Sequence, residues 1–132
     1  MTVFMDTYAL IAWINTRDAG HQPVKSYLDA YSGSIVTTEW VLLEFADAFS
    51  LSSVKPFAIE AIKRIHRLSM FLIVGFDPAV YQAGLDLYET TSDKDWSLTD
   101  CLSFAVMSER GLSEALTADH HFEQAGFRAV FK

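Results

Sequence analysis

The chain has 132 residues, 51% of them hydrophobic and 20% charged, with three Pro and six Gly. At about 100–200 residues per domain, that is one globular domain and excludes a disordered or low-complexity chain. Ten Phe, five Tyr and three Trp provide a sizeable core, and the lone cysteine, Cys101, excludes a disulfide framework and a Cys-rich zinc cluster. The longest apolar run, Met70–Phe76, falls far short of the ~20 residues that span a bilayer. The apolar N-terminus has no basic segment and contains Asp6, so no signal peptide is expected, and the protein is expected to be cytoplasmic. A net charge of −7 opposes nucleic-acid binding unless a cluster of carboxylates holds cations.

In chain order, Thr2–Met5 reads as a strand ending at Asp6, and Thr7–Thr16 as a helix. Gly20 breaks the chain before a helix over His21–Tyr31 and a strand over Ser34–Thr37. The helix over Thr38–Ser50 is apolar on nearly all sides, which predicts burial. An amphipathic helix follows over Lys55–Ser69. The unbroken run Phe71–Val74 predicts a strand covered on both faces. Asp77-Pro78 opens a helix reaching about Glu89, and Leu98–Arg110 forms another closed by Gly111. Strands over Glu114–Ala118 and Arg128–Phe131 flank a small helix at His120–Gln124. Alternating strand and helix without linker or repeat predicts an α/β fold with a parallel sheet and helices on both sides.

Sites on such sheets form beyond the carboxyl ends of the strands. Asp6 ends the first strand, Asp119 ends the LTAD segment, and Asp100 lies in the first turn of its helix. Each has a structural reading: Asp6 and Asp119 as N-caps, Asp100 as the acid of a Ser97–Asp100 capping box. Capping does not account for Glu44, which lies mid-helix, where no cap is needed, flanked by Trp40, Val41 and Ala48. A carboxylate on a buried stripe requires a cation, several hydrogen bonds, or a salt bridge, and bases are sparse in this half of the chain.

At these residues the chain resembles the PIN-domain ribonucleases, the family that includes VapC-type toxins of bacterial toxin–antitoxin pairs. The matching segments are VFMDTYALIA, TTEWVLLEFADA, WSLTDCLSFAVM and ALTADHHFEQAGF, in the family's order and over nearly the whole chain. The resemblance implies a three-layer sandwich with a short central parallel sheet flanked by helices. It implies that Asp6, Glu44, Asp100 and Asp119 hold Mg²⁺ or Mn²⁺ and that RNA is cut by metal-assisted hydrolysis. Thr7 and Thr117 match hydroxyl positions beside the acids, with supporting or substrate contacts. It further implies a cognate antitoxin that covers the toxin through a hydrophobic segment, and a homodimer. Hard divalent cations prefer oxygen ligands, so the residue types suit that chemistry. Attack by a metal-activated water would leave a 5′-phosphate and a 3′-hydroxyl.

Other features point less sharply. His120 and His121 read as surface or helix-start residues, since neighbouring helical side chains diverge by about 100° and no Cys partner is near. Asp93 and Asp95 start an EF-hand-like spacing, but the required Gly position is Leu98. Asp95 reads as a solvated loop acid or an outer acid of the site. Cys101 reads as a small buried hydrophobe. Lys55, Lys63, Arg64, His66 and Arg67 could attract an RNA backbone or form the wet face of their helix. Trp96 could stack on a base or anchor its loop. A phospho-acceptor domain wants an acidic pair at the first strand end, where Met5 precedes Asp6. A non-catalytic PIN-like binding module and a DNA-directed nuclease remain alternatives.

Overall fold

Val3, Phe4 and Met5 are fully buried, and the strand they form is the centre of the molecule. In a computed structural model describing residues 1–132, this strand, β1 (Thr2–Met5), lies between β2 (Ser34–Thr38) and β4 (Glu114–Leu116). The outer strands are β3 (Phe71–Val74) and β5 (Arg128–Ala129), and the order across the sheet is β3-β2-β1-β4-β5. Every pairing is parallel. Parallel strands need crossovers, and seven helices make up or accompany them. These are α1 (Thr7–Ile14), α2 (His21–Ala30), α3 (Glu39–Ala48), α4 (Lys55–Arg67), α5 (Pro78–Thr90), α6 (Leu98–Glu109) and α7 (His120–Gln124). The result is the expected PIN-like α/β sandwich.

Sequence logic explains the local boundaries. Thr38 ends β2 in an extended conformation and caps α3, accepting from Val41 N at 3.0 Å. Gly111, at φ +66°, closes α6: Leu112 N donates to Met107 O and Gly111 N to Ser108 O, the paired bonds of a Schellman end. Phe4, Phe122 and Phe104 form a line of aromatic contacts through the core, with successive centroids 6.4 and 4.9 Å apart. Cys101 is fully buried, as its helical context predicts.

Two expectations are corrected. The run Phe71–Val74 is an edge strand rather than one covered on both faces, and Leu72 is 48% exposed. Helix α3 is not buried all round: Val41, Leu42 and Phe45 face the core, whereas Leu43 is 63% exposed. In both cases the signal is apolar composition, an unbroken run in Phe71–Val74 and most sides of the helix in Thr38–Ser50, and composition does not say how many faces find a partner. The last two strands are shorter than expected, because Thr117–Asp119 leaves the sheet to form the site and the chain turns after Ala129.

Candidate active site

The strand order reverses at β1, whose neighbours β2 and β4 lead to opposite edges of the sheet. In open parallel sheets the crevice at this reversal, beyond the strand carboxyl ends, is where ligands bind. Met5 of β1 pairs with Leu116 of β4, so Asp6 and Thr117 leave the sheet side by side. Asp6 occupies the N-cap position of α1 yet makes no side-chain cap hydrogen bond. Its Oδ2 instead accepts from the Thr117 hydroxyl at 2.9 Å, and Thr117 Oγ1 accepts from Asp119 N at 3.1 Å. The capping explanation therefore fails for Asp6.

Asp100 and Asp119 do cap their helices, and they face the same crevice. Ser97 and Asp100 form a reciprocal capping box, with bonds of 3.0 and 3.1 Å. Asp119 caps α7 by accepting from His121 N at 2.9 Å. Capping and site-building are compatible because a cap uses one carboxylate face and leaves other lone pairs free.

Glu44 arrives from α3 across α1, where Thr7 Oγ1 donates to its Oε1 at 2.5 Å. Contrary to the expectation of a buried stripe, Glu44 is exposed. It is exposed because it opens onto the crevice, a cleft of about 430 Å³ that it lines with Asp6, Asp100 and Asp119. No Lys or Arg forms an ion pair with any of these four acids. The Asp6 carboxyl is raised from 3.8 to about 7, mainly by burial, with Asp100 and Glu44 adding repulsion and the Thr117 hydroxyl opposing.

This donor set fits a hard divalent cation: carboxylate and hydroxyl oxygens, no Lys or Arg counter-ion, and one acid driven toward protonation by its surroundings. Asp6, Glu44, Asp100 and Asp119 are the side chains that could hold it.

His121 was not anticipated. Its Nδ1 lies 3.2 Å from Asp100 Oδ2 and 3.4 Å from Asp119 Oδ1, inside the cleft, while His120 is exposed. The divergence of neighbouring helical side chains does not keep the two rings apart here, because both reach Asp119 through the turn that starts α7. Asp95 also lines the cleft from an exposed loop. Trp96, by contrast, is a loop anchor: it is buried, donates from Nε1 to Gln124 Oε1 at 2.9 Å, and meets Phe104 edge-on at 5.0 Å. The basic residues of α4 do not line the acidic cleft. Arg64 lies 4.9 Å over the Trp13 ring, toward the far end of α1 from Thr7.

Comparison with known proteins agrees with this fold. The PIN domain model matches residues 3–128. The chain belongs to the PIN-domain family. Among solved structures, Mycobacterium tuberculosis VapC20, described as a sarcin-ricin loop cleaving toxin, has a TM-score of 0.89 at 23% identity over 97% of this chain and 98% of that one. FitAcB from Neisseria gonorrhoeae has a TM-score of 0.68 at 19% identity, covering 100% of this chain and 97% of that one. VapBC2 from Rickettsia felis, bound to a fragment of promoter DNA, has a TM-score of 0.69 at 16% identity over 98% of this chain and 97% of that one. No curated protein sequence matches the chain.

Proposed function

We propose that the protein is a metal-dependent endoribonuclease and the toxin of a toxin–antitoxin pair. The observation that carries this reading is the convergence of Asp6, Glu44, Asp100 and Asp119 on one cleft with no Lys or Arg among them. Family membership and the toxin structures that share the fold support it. A divalent cation held there, Mg²⁺ or Mn²⁺, supplies charge stabilisation on the attacked phosphate and lowers the pKa of a water. The chain's own residues prepare that chemistry. Thr117 holds Asp6 in place from behind, and Thr7 holds Glu44. Helix α6 sets Asp100 through its capping box, and α7 sets Asp119 through its own cap. Water then displaces the 3′-oxygen from phosphorus, leaving a 5′-phosphate and a 3′-hydroxyl.

An antitoxin and a homodimer belong to the same proposal. FitAcB, VapBC2 and FitAB are the kind of structures this fold matches. Phe57 is 60% exposed beside Ile14 and Trp13 at the far end of α1, and a partner's apolar segment would find surface there. No helix is long and apolar enough to cross a membrane, and the proposed compartment is the cytoplasm.

The test is purified protein with total RNA and intact ribosomes, with Mg²⁺, Mn²⁺ or EDTA, followed by sequencing of the cut ends. Cation-dependent cuts bearing 5′-phosphates support the reading, and a single cut in the sarcin-ricin loop would match the activity named for VapC20. Equal RNA loss in EDTA, or 2′,3′-cyclic ends, refutes it. RNA left intact alongside tight cation binding supports the non-catalytic module instead, and cleavage confined to DNA supports a DNA nuclease.

A further inference from the structure

The acidic cleft contains nitrogen as well as oxygen donors, and their spacing is specific. His121 Nδ1 is 3.4 Å from Asp119 Oδ1, His120 Nδ1 is 3.6 Å from the same oxygen, and His121 Nδ1 is 3.2 Å from Asp100 Oδ2. The donor atoms of Asp119, His120 and His121 all lie within 4.8 Å of one another. Two donors each about 2.1 Å from one ion at a tetrahedral angle are about 3.4 Å apart, which the two contacts to Asp119 Oδ1 approximate, whereas His121 Nδ1 and Asp100 Oδ2 are at hydrogen-bond distance. As hydrogen bonds, 3.4 and 3.6 Å are too long. The two rings stay together, with centroids 4.4 Å apart, although they are neighbours in sequence. The backbone explains how: Asp119 caps α7, so its carboxylate folds over the first turn, against the side chains of the next two residues.

We propose that Asp119, His120 and His121, with Asp100 beside them, form a binding site for a transition-metal ion of the zinc class. Imidazole suits zinc, nickel and cobalt, whereas magnesium takes oxygen donors and keeps much of its water. The site is separate in chemistry from the all-oxygen centre of the proposed nuclease but shares Asp100 and Asp119 with it. A zinc ion held there takes two of the four acids away from the hard cation. The assignment rests on the nuclease reading only for that consequence. The binding itself stands on Asp119, His120 and His121, with Asp100 in reach of His121 alone.

The experiment is calorimetric titration of the full chain, stripped with chelator and returned to chelator-free buffer near neutral pH, with zinc chloride and separately with magnesium chloride. Wild type, His121→Gln, His120→Gln, the double variant and Asp6→Asn are compared, and circular dichroism and melting temperature report their folding. Wild type should take up one zinc ion. His121→Gln should weaken zinc binding by about tenfold or more, the scale on which lost metal-site groups act. His120→Gln should weaken it by a smaller factor, and magnesium binding should change by less than about twofold in both. Cobalt in place of zinc should give a visible absorption band that His121→Gln diminishes. Failure of wild type to bind zinc, or a double variant with wild-type zinc affinity, overturns the proposal. Should the double variant unfold, His120→Gln carries the test, because its ring is largely exposed and its loss leaves the fold intact. Asp6→Asn separates the two readings: it removes RNA cleavage under the nuclease reading and leaves zinc binding in place. Protein that binds zinc through its histidines but never cuts RNA retains this site and loses the nuclease function.

Discussion

The hydroxyl of Thr117 donates to Asp6 Oδ2 at 2.9 Å, joining residues 111 positions apart in the chain. Thr117 is fully buried, and the same oxygen accepts from Asp119 N. One small side chain therefore holds two of the four acids in register, and it can do so because β1 and β4 are parallel neighbours. A helix or a hairpin could not bring these residues together. Only the crossover from one half of the sheet to the other does.

Replacing Thr117 with Val keeps the volume and removes the donor. Asp6 then lacks the hydroxyl that opposes the effect of its burial. The expected cost is about 1–3 kcal/mol of stability above neutral pH, the range for stripping a partner from a buried polar group. Thr117→Ser should recover most of it. Urea melts of the three proteins measure this, and a Thr117→Val protein as stable as wild type at alkaline pH would remove the hydroxyl from the account.

Much of this arrangement was legible in the sequence, for identifiable reasons. Asp6 and Asp119 follow short apolar strands, and a helix start after a strand is marked by the same small polar residues that build sites. Asp100 carried the Ser97 capping spacing, and that box is present. Glu44 was found for an incorrect reason: its neighbours in sequence are apolar, but the residue itself is exposed in the cleft. Periodicity places a residue on a face without saying whether that face meets core or crevice. The same limit applies to Phe71–Val74, where nothing local distinguishes an edge strand from a central one. His121 was missed because its partners, Asp100 and Asp119, meet it only through the tertiary fold and a capped turn.

The pH dependence of stability should carry the signature of Asp6. Its folded pKa of about 7 lies above the ordinary 3.8, so between these values the folded protein keeps a proton that the unfolded chain has lost. That contribution is fully present below about pH 4 and is lost as pH rises through about 7. Between about pH 5 and pH 8 the metal-free protein should lose about 2–3 kcal/mol relative to Asp6→Asn, whose side chain stays neutral. Denaturant melts in EDTA across that range test it. Parallel stability curves for the two proteins would show that Asp6 is already ionised in the folded state at low pH. Adding Mg²⁺ should raise wild-type stability most at the alkaline end, where the carboxylate is free to bind it.

Helix α5 approaches α6 at Gly84, and a β-carbon there would lie 2.4 Å from Leu102 Cδ2 and 3.2 Å from Leu102 Cα. Alanine would favour the helix by up to about 1 kcal/mol through its intrinsic propensity. Overpacking costs about 1–3 kcal/mol, and the short approach to backbone means that rotation of the Leu102 side chain cannot relieve all of it. Gly84→Ala is expected to be net destabilising, and Gly84→Ala combined with Leu102→Ala should cost less than the sum of the two. A thermal-melt double-mutant cycle gives the sign of the coupling, and strict additivity would mean that the two residues do not meet.

Asp100 both closes a capping box and lines the cleft, and different substitutions separate capping from the proposed cation binding. Its Oδ2 closes the capping box on Ser97 N at 3.1 Å, and the same carboxylate faces the cleft beside His121. Asparagine keeps an oxygen for the cap and removes the negative charge, whereas alanine removes both. Asp100→Asn should therefore lose little stability, and loss of repulsion toward Asp6 can offset part of what the weaker cap gives up. Asp100→Ala should lose about 0.5–2 kcal/mol more, as for other lost N-terminal caps. Cation binding behaves differently, because it needs the charge. Both variants should lose most of the rise in melting temperature that wild type gains in Mn²⁺, which for one site amounts to about 2.7 kcal/mol at a hundred times Kd. RNA cleavage should fall with it in both. Melts across a Mn²⁺ titration resolve capping from cation binding in one experiment. An Asp100→Asn protein that keeps the full Mn²⁺ response would confine Asp100 to capping its helix and remove it from the metal centre.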